Sequence, residues 1–124
     1  MEALGRHILL ELRSCNSASL DDLPFIEEMM VHAAEETGAT VIGKLFHQFS
    51  PQGVTGVVAI AESHLCIHTW PEHAYAAVDI FTCGENFDPA EAARLIILAV
   101  ESEDPETTEV ARGRVAVPAI SAAG

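Results

Sequence analysis

The sequence predicts an α+β domain: a mainly antiparallel β-sheet with two helices packed on one face, a two-layer arrangement. Three observations carry this. Short runs such as "HILLELR" and "YAAVDIFTC" alternate polar and apolar residues with a period of two. Two longer segments repeat apolar residues at helical spacing behind acidic capping residues. Two of the strand-like runs are separated only by "PEH", too short a link for a parallel crossover. At 124 residues the chain is read as one domain spanning 1–124.

In chain order, His7 to Arg13 is the first strand. "SASLDDLP" then supplies capping residues and a proline at a helix start, and Phe25, Ile26, Met29, Met30 and Ala33 mark the helix up to Gly38. Thr40 to Phe49 is a second strand, ended by the turn-rich "SPQG". Val54 to Ala61 is a third, apolar and interrupted by Gly56. Leu65 to Trp70 and Ala74 to Cys83 form an antiparallel pair. Asp88 and Pro89 open a second helix that carries "LIILAV", and "TTEVARGRV" gives a last strand. The tail "AVPAISAAG" receives no assignment.

Composition narrows the function. A net charge of −13, with nineteen acidic side chains against Lys44 and five arginines, repels nucleic-acid phosphates and mildly favours a cationic substrate. The same imbalance suits a high-salt cytoplasm and ordinary solubility alike. No apolar run approaches the roughly 20 residues of a membrane span, and the N-terminus lacks the order of a signal peptide. Three cysteines, Cys15, Cys66 and Cys83, have no C-x-x-C spacing, which argues for reduced thiols and a cytoplasmic location.

Chemistry concentrates in "AESHLCIHTWPEHAYAAVDIFTCG". Residues two apart share a sheet face, so His64, Cys66, His68 and Trp70 point one way and Leu65, Ile67 and Thr69 the other. On the following strand Val78 and Ile80 share the plainer face, and Tyr75, Asp79, Phe81 and Cys83 the richer one. If the plain rows meet the helices, His68 and Cys83 look out from the opposite face, which then lines a pocket, packs on a second subunit, or both. A single His or Cys on a strand is most often structural. His64, Cys66, His68 and Cys83 are zinc ligands by type, but ligands at i, i+2 and i+4 splay about 7 Å per step along a strand, so no metal is expected. A Cys–His nucleophile pair would leave Ser63 and the strand break at Glu62–Ser63 unexplained. A serine there can turn its hydroxyl onto the preceding carbonyl, given peptide strain, oxyanion donors and a base; His68 and Thr55 are candidates for support.

"ESHLCIHTWPE" followed by "YAAVDIFTCG" closely resembles the bacterial and archaeal S-adenosylmethionine decarboxylases, and the likeness covers most of residues 3 to 100. The resemblance implies a proenzyme that cuts itself between Glu62 and Ser63 into fragments 1–62 and 63–124. Ser63 would attack the Glu62 carbonyl, and His68 would take the Ser63 Cα proton, leaving a pyruvoyl group at the new terminus. Such a self-made carbonyl forms a Schiff base with the substrate amine and acts as an electron sink. Cys83 matches the family's proton donor, Phe49 and Trp70 the aromatic pair stacked on adenine, and Glu72 the carboxylate on the ribose hydroxyls. The implied product is the aminopropyl donor of spermidine synthesis, and the implied assembly a homodimer of processed protomers. Thr55 stands where the family has serine, and its stiffer χ1 bears on the rate of processing. Two alternatives stay open: arginine as the substrate of the same apparatus, and a non-catalytic relative that partners an active homologue.

Overall fold

Most elements stand where the alternating and helical patterns place them in the computed structural model, which describes residues 3–61, 63–83 and 86–115. The strands are β1 (Gly5–Arg13), β2 (Val41–Gln48), β3 (Val54–Ile60), β4 (Ser63–Trp70), β5 (Tyr75–Thr82) and β6 (Asp104–Arg112). The helices are α1 (Ser17–Leu20), α2 (Leu23–Glu36) and α3 (Pro89–Ala99). One sheet holds the six strands in the order β2-β3-β4-β5-β1-β6, every neighbour antiparallel.

The helices form where capping and periodicity agree. Asp22 accepts from Phe25 N at 3.1 Å and Pro24 lies in the first turn of α2; Asp88 and Pro89 do the same for α3, with Glu91 N as donor. Ile26, Met29, Met30, Ala33 and Ala34 are the buried stripe of α2, and Ala92, Ala93 and Ile96 that of α3. Thr37 ends α2 by donating its hydroxyl to Ala33 O at 2.7 Å, and Gly38 follows at φ +102°. The "SASLDDLP" segment differs from the expectation of one helix start. Asn16 caps the single turn α1, Leu20 plugs the core behind it, and Asp22 starts α2 afresh. A one-turn helix has too few residues to show a period.

Both long helices lie on one face of the sheet, α2 over β2 and β3, α3 over β1 and β5. Beneath them Ile8, Leu10, Leu12, Val58, Leu65, Ile67, Val78 and Ile80 are buried, each from the alternate row of its strand. The other face has no helix over it among the described residues. β6 begins earlier than the sequence suggests because Pro105 lies in it; on an edge strand its missing N–H costs no ladder bond. Glu62, Gly84 and the tail beyond Val115 lie outside the described residues.

Candidate active site

Of the strand residues that the sequence singles out, Thr55, His68 and Trp70 lie on the uncovered face and Ser63 does not. β3 ends at Ile60 and β4 begins at Ser63, directly opposite it, so Ser63 is the first residue of β4 rather than part of a break. Its position in the register puts it in the helix-side row with Leu65 and Ile67, and its Oγ donates to Thr82 Oγ1 at 2.9 Å. Thr82 is buried, and Cys83, exposed, follows it at the end of β5.

Five residues further along β4, His68 sits on the uncovered face opposite Thr55 of β3, with Thr55 Oγ1 and His68 Nδ1 3.2 Å apart. Phe49, Thr55, His68, Trp70 and Glu72 line one pocket of about 310 Å³, completed by Gln52, Gly53 and Thr69. Phe49 and Trp70 expose 48% and 41% of their surface, which leaves both aromatic faces accessible to a planar ligand. Trp70 is held on one side by Tyr75, ring centroids 5.4 Å apart, and Tyr75 O–H donates to Glu11 at 2.6 Å. Burial first, and then the bond to Glu11, push the Tyr75 hydroxyl up to about 12. Glu72 projects from a 3-10 turn, Pro71–His73, closed by Ala74 in the left-handed conformation at φ 50°.

His68 and Cys83 therefore share a face, as alternation implies, but not a neighbourhood. His68 pairs with Ala77, and Cys83 lies six residues beyond it, roughly 20 Å at 3.3 Å per residue. Ser63 is about 17 Å from His68 by the same measure and belongs to the opposite row. One chain thus brings together Thr55, His68, Phe49, Trp70 and Glu72 at one end, and Ser63 and Cys83 at the other. The signal for this was in the sequence. A turn across residues 71–74 sets Trp70 against Tyr75, and counting back from there separates the two groups.

Comparison with known proteins decides the family. Residues 6–113 match the family profile described as S-adenosylmethionine decarboxylase. The chain belongs to the S-adenosylmethionine decarboxylase family. It is 55% identical over 113 residues to an S-adenosylmethionine decarboxylase proenzyme of Caldanaerobacter subterraneus subsp. tengcongensis, covering 91% of each chain. It is 51% identical over 122 residues to that of Moorella thermoacetica, covering 98% of each. The fold matches the crystal structure of the adenosylmethionine decarboxylase from Aquifex aeolicus VF5 with a TM-score of 0.82 at 36% identity, over 95% of this chain and 98% of that one.

Relative to that family motif, the sequence reading passed over a second cluster on the uncovered face, between the two groups. Arg112 donates to His7 Nδ1 at 2.9 Å; an arginine accepts nothing, so the ring proton sits on His7 Nε2, which faces Asp79 Oδ2 at 3.6 Å. His64 stacks on Phe81 at 5.8 Å, and Arg112 lies over the same ring at 6.0 Å. Cys66 lies opposite Asp79, and burial, then the Asp79 charge, push its thiol up, which suits a small strand residue better than a nucleophile. His73 is an exposed turn residue. Among the described residues, no helix is long and apolar enough to cross a membrane.

Proposed function

We propose that this chain is a self-processing, pyruvoyl-dependent decarboxylase of S-adenosylmethionine whose active site is assembled from two copies. The observation that carries the reading is the split arrangement. The pocket with Phe49, Trp70 and Glu72 also holds Thr55 and His68, while Ser63 and Cys83 lie at the other end of the β4–β5 pair, Cys83 on the open face and Ser63 at the head of β4 in the opposite row. Two sheets packed face to face sit about 10 Å apart, so a second copy turned end over end sets one chain's pocket against the other's Ser63 and Cys83. The face has the apolar content for such packing: Leu45, Phe49 and Val110 are exposed on it, with Leu9, Val57 and Phe81 half-buried.

Processing is work for the chain's own residues. Ser63 Oγ attacks the carbonyl carbon of Glu62, the peptide C–N bond breaks, and an ester with a free Ser63 amine results. His68 of the second copy, hydrogen-bonded to its Thr55, takes the Ser63 Cα proton, so that the Glu62 carboxylate leaves. Hydrolysis of the resulting dehydroalanine releases ammonia and leaves a ketone.

Position 63 fits such a group. The cut falls just before Ser63, which heads a strand bonded on both sides, to β3 and to β5. When bound in this way the group supplies a carbonyl that takes up the substrate amine and draws electrons from the carbon losing its carboxylate. Cys83 Sγ then returns one proton to that carbon. Glu72 accepts from the ribose hydroxyls, and Phe49 and Trp70 take the adenine between them. The acidic surface suits the sulfonium cation, and the product serves as aminopropyl donor for spermidine.

The test is release of labelled carbon dioxide from carboxyl-labelled S-adenosylmethionine and, in parallel, from carboxyl-labelled arginine. Release from the former is expected. Release from arginine alone would replace the substrate and keep the chemistry, and release from neither would leave a non-catalytic relative.

A further inference from the structure

We infer that Asp21, outside the pocket and outside the family motif, is a positioning residue for the aromatic wall that receives the nucleoside; the inference rests on reading that pocket as the adenosine site. Asp21 lies in the joint between α1 and α2, yet its side chain serves neither helix, because Asp22 caps α2. Instead Asp21 Oδ1 accepts two hydrogen bonds from the β2–β3 connection, from Gly53 N at 2.8 Å and from Gln48 Nε2 at 2.9 Å.

These two donors bracket the loop that supplies Phe49, Gln52 and Gly53 to the pocket lining. Gln48 Nε2 also reaches Gly53 O at 3.0 Å, and Phe49 N donates to the same carbonyl at 2.8 Å. The carboxylate thus closes a ring of bonds around the base of the loop. Gly53 holds φ +107°, where an L side chain is strained, and a Cβ there would lie 3.1 Å from Thr69 O, so the loop sits close against β4. The preceding residue of the joint is tied to the same strand, since Thr69 Oγ1 donates to Leu20 O at 2.8 Å and accepts from Val54 N at 2.8 Å. Leu20 is fully buried, so the joint is anchored in the core, and Asp21 passes that fixity to the loop. Bonds to a carboxylate are stronger than neutral ones, and here they fix the backbone beneath Phe49, whose half-exposed ring meets the His47 ring edge-on at 4.6 Å.

Asp21→Ala should free the loop, and Asp21→Asn, which keeps an acceptor oxygen, should largely restore it. Two readouts on the full protein separate this from a merely structural role. Trp70 is the only tryptophan, so quenching of its fluorescence by 5′-methylthioadenosine, the nucleoside without the reacting amino acid, measures binding without turnover. Asp21→Ala should weaken that binding about five- to tenfold, Asp21→Asn less than about twofold, with the unfolding temperature little changed. Amide exchange over residues 49–53 should quicken in Asp21→Ala and not in Asp21→Asn. Gln48→Ala, which removes one of the two donors, should give a smaller change in the same direction. Wild-type affinity together with unchanged exchange in Asp21→Ala would overturn the inference. A wild-type protein that the nucleoside fails to quench would instead sink the adenosine reading, while the exchange rates still decide whether Asp21 holds the loop.

Discussion

Tyr75 illustrates how a single side chain links the site to the rest of the sheet. It braces Trp70 and hands its own proton to Glu11, so it works only while its hydroxyl is neutral. Its ordinary value near 10 rises to about 12 in the fold. Between those values the unfolded chain has lost a proton that the folded chain keeps, so this contribution to stability is complete below about pH 10 and is lost as pH climbs towards 12. Thermal unfolding followed from pH 9 to 12 should fall more steeply in the wild type than in Tyr75→Phe; parallel curves would deny Tyr75 this role. At this scale much of the pocket lining was legible: His68, Trp70 and Glu72 within the motif, and Thr55 and Phe49 upstream of it, were all singled out from the sequence. Asp21 and the His7–Asp79–Arg112 cluster were not, because their partners lie 32, 72 and 105 positions away and only the folded register brings them together.

Elements were legible where local chemistry and tertiary need agree. Asp88–Pro89 starts α3, and alternation set the faces of β4 and β5. They were less so where tertiary contact decides. Gly56 reads as an interruption of β3, but in the sheet it is the seat of Phe46, its cross-strand partner on β2, and a Cβ there would overlap the ring. A glycine inside a strand commonly marks such a close approach. Gly56→Val should therefore cost about 1–3 kcal/mol by displacing Phe46, despite the better β-propensity of valine. Chemical denaturation checks this; a valine variant as stable as the wild type would mean that Phe46 moves aside freely.

Across the whole molecule, the strand order keeps a cut chain together. A break between 62 and 63 assigns β1, β2 and β3 to one fragment and β4, β5 and β6 to the other. The order β2-β3-β4-β5-β1-β6 then interleaves them, with β1 between β5 and β6 and β3 against β4. Three ladders join these two sets of strands, so a cut at that bond would leave the sheet held together. The same sheet, covered by helices on one side only, holds the pocket with Thr55 and His68 at one end of its open face and Ser63 and Cys83 at the far end of the β4–β5 pair. Sequence periodicity assigns residues to a face but says nothing of their distance along it; that distance needs the count back from the turn at 71–74, which alternation alone does not supply.

The most direct test of that division is the denaturing intact mass of two variant chains, Ser63→Ala and His68→Ala, each expressed alone and then both together, beside the wild type. Either variant alone should remain whole. Together they form mixed dimers in which Ser63 of the His68→Ala chain meets His68 of the other. The His68→Ala chain should then be split between Glu62 and Ser63, its second fragment lighter by one ammonia than a serine-started chain. Cleavage of the wild type with both variant chains still whole after co-expression would contradict a site shared between two copies.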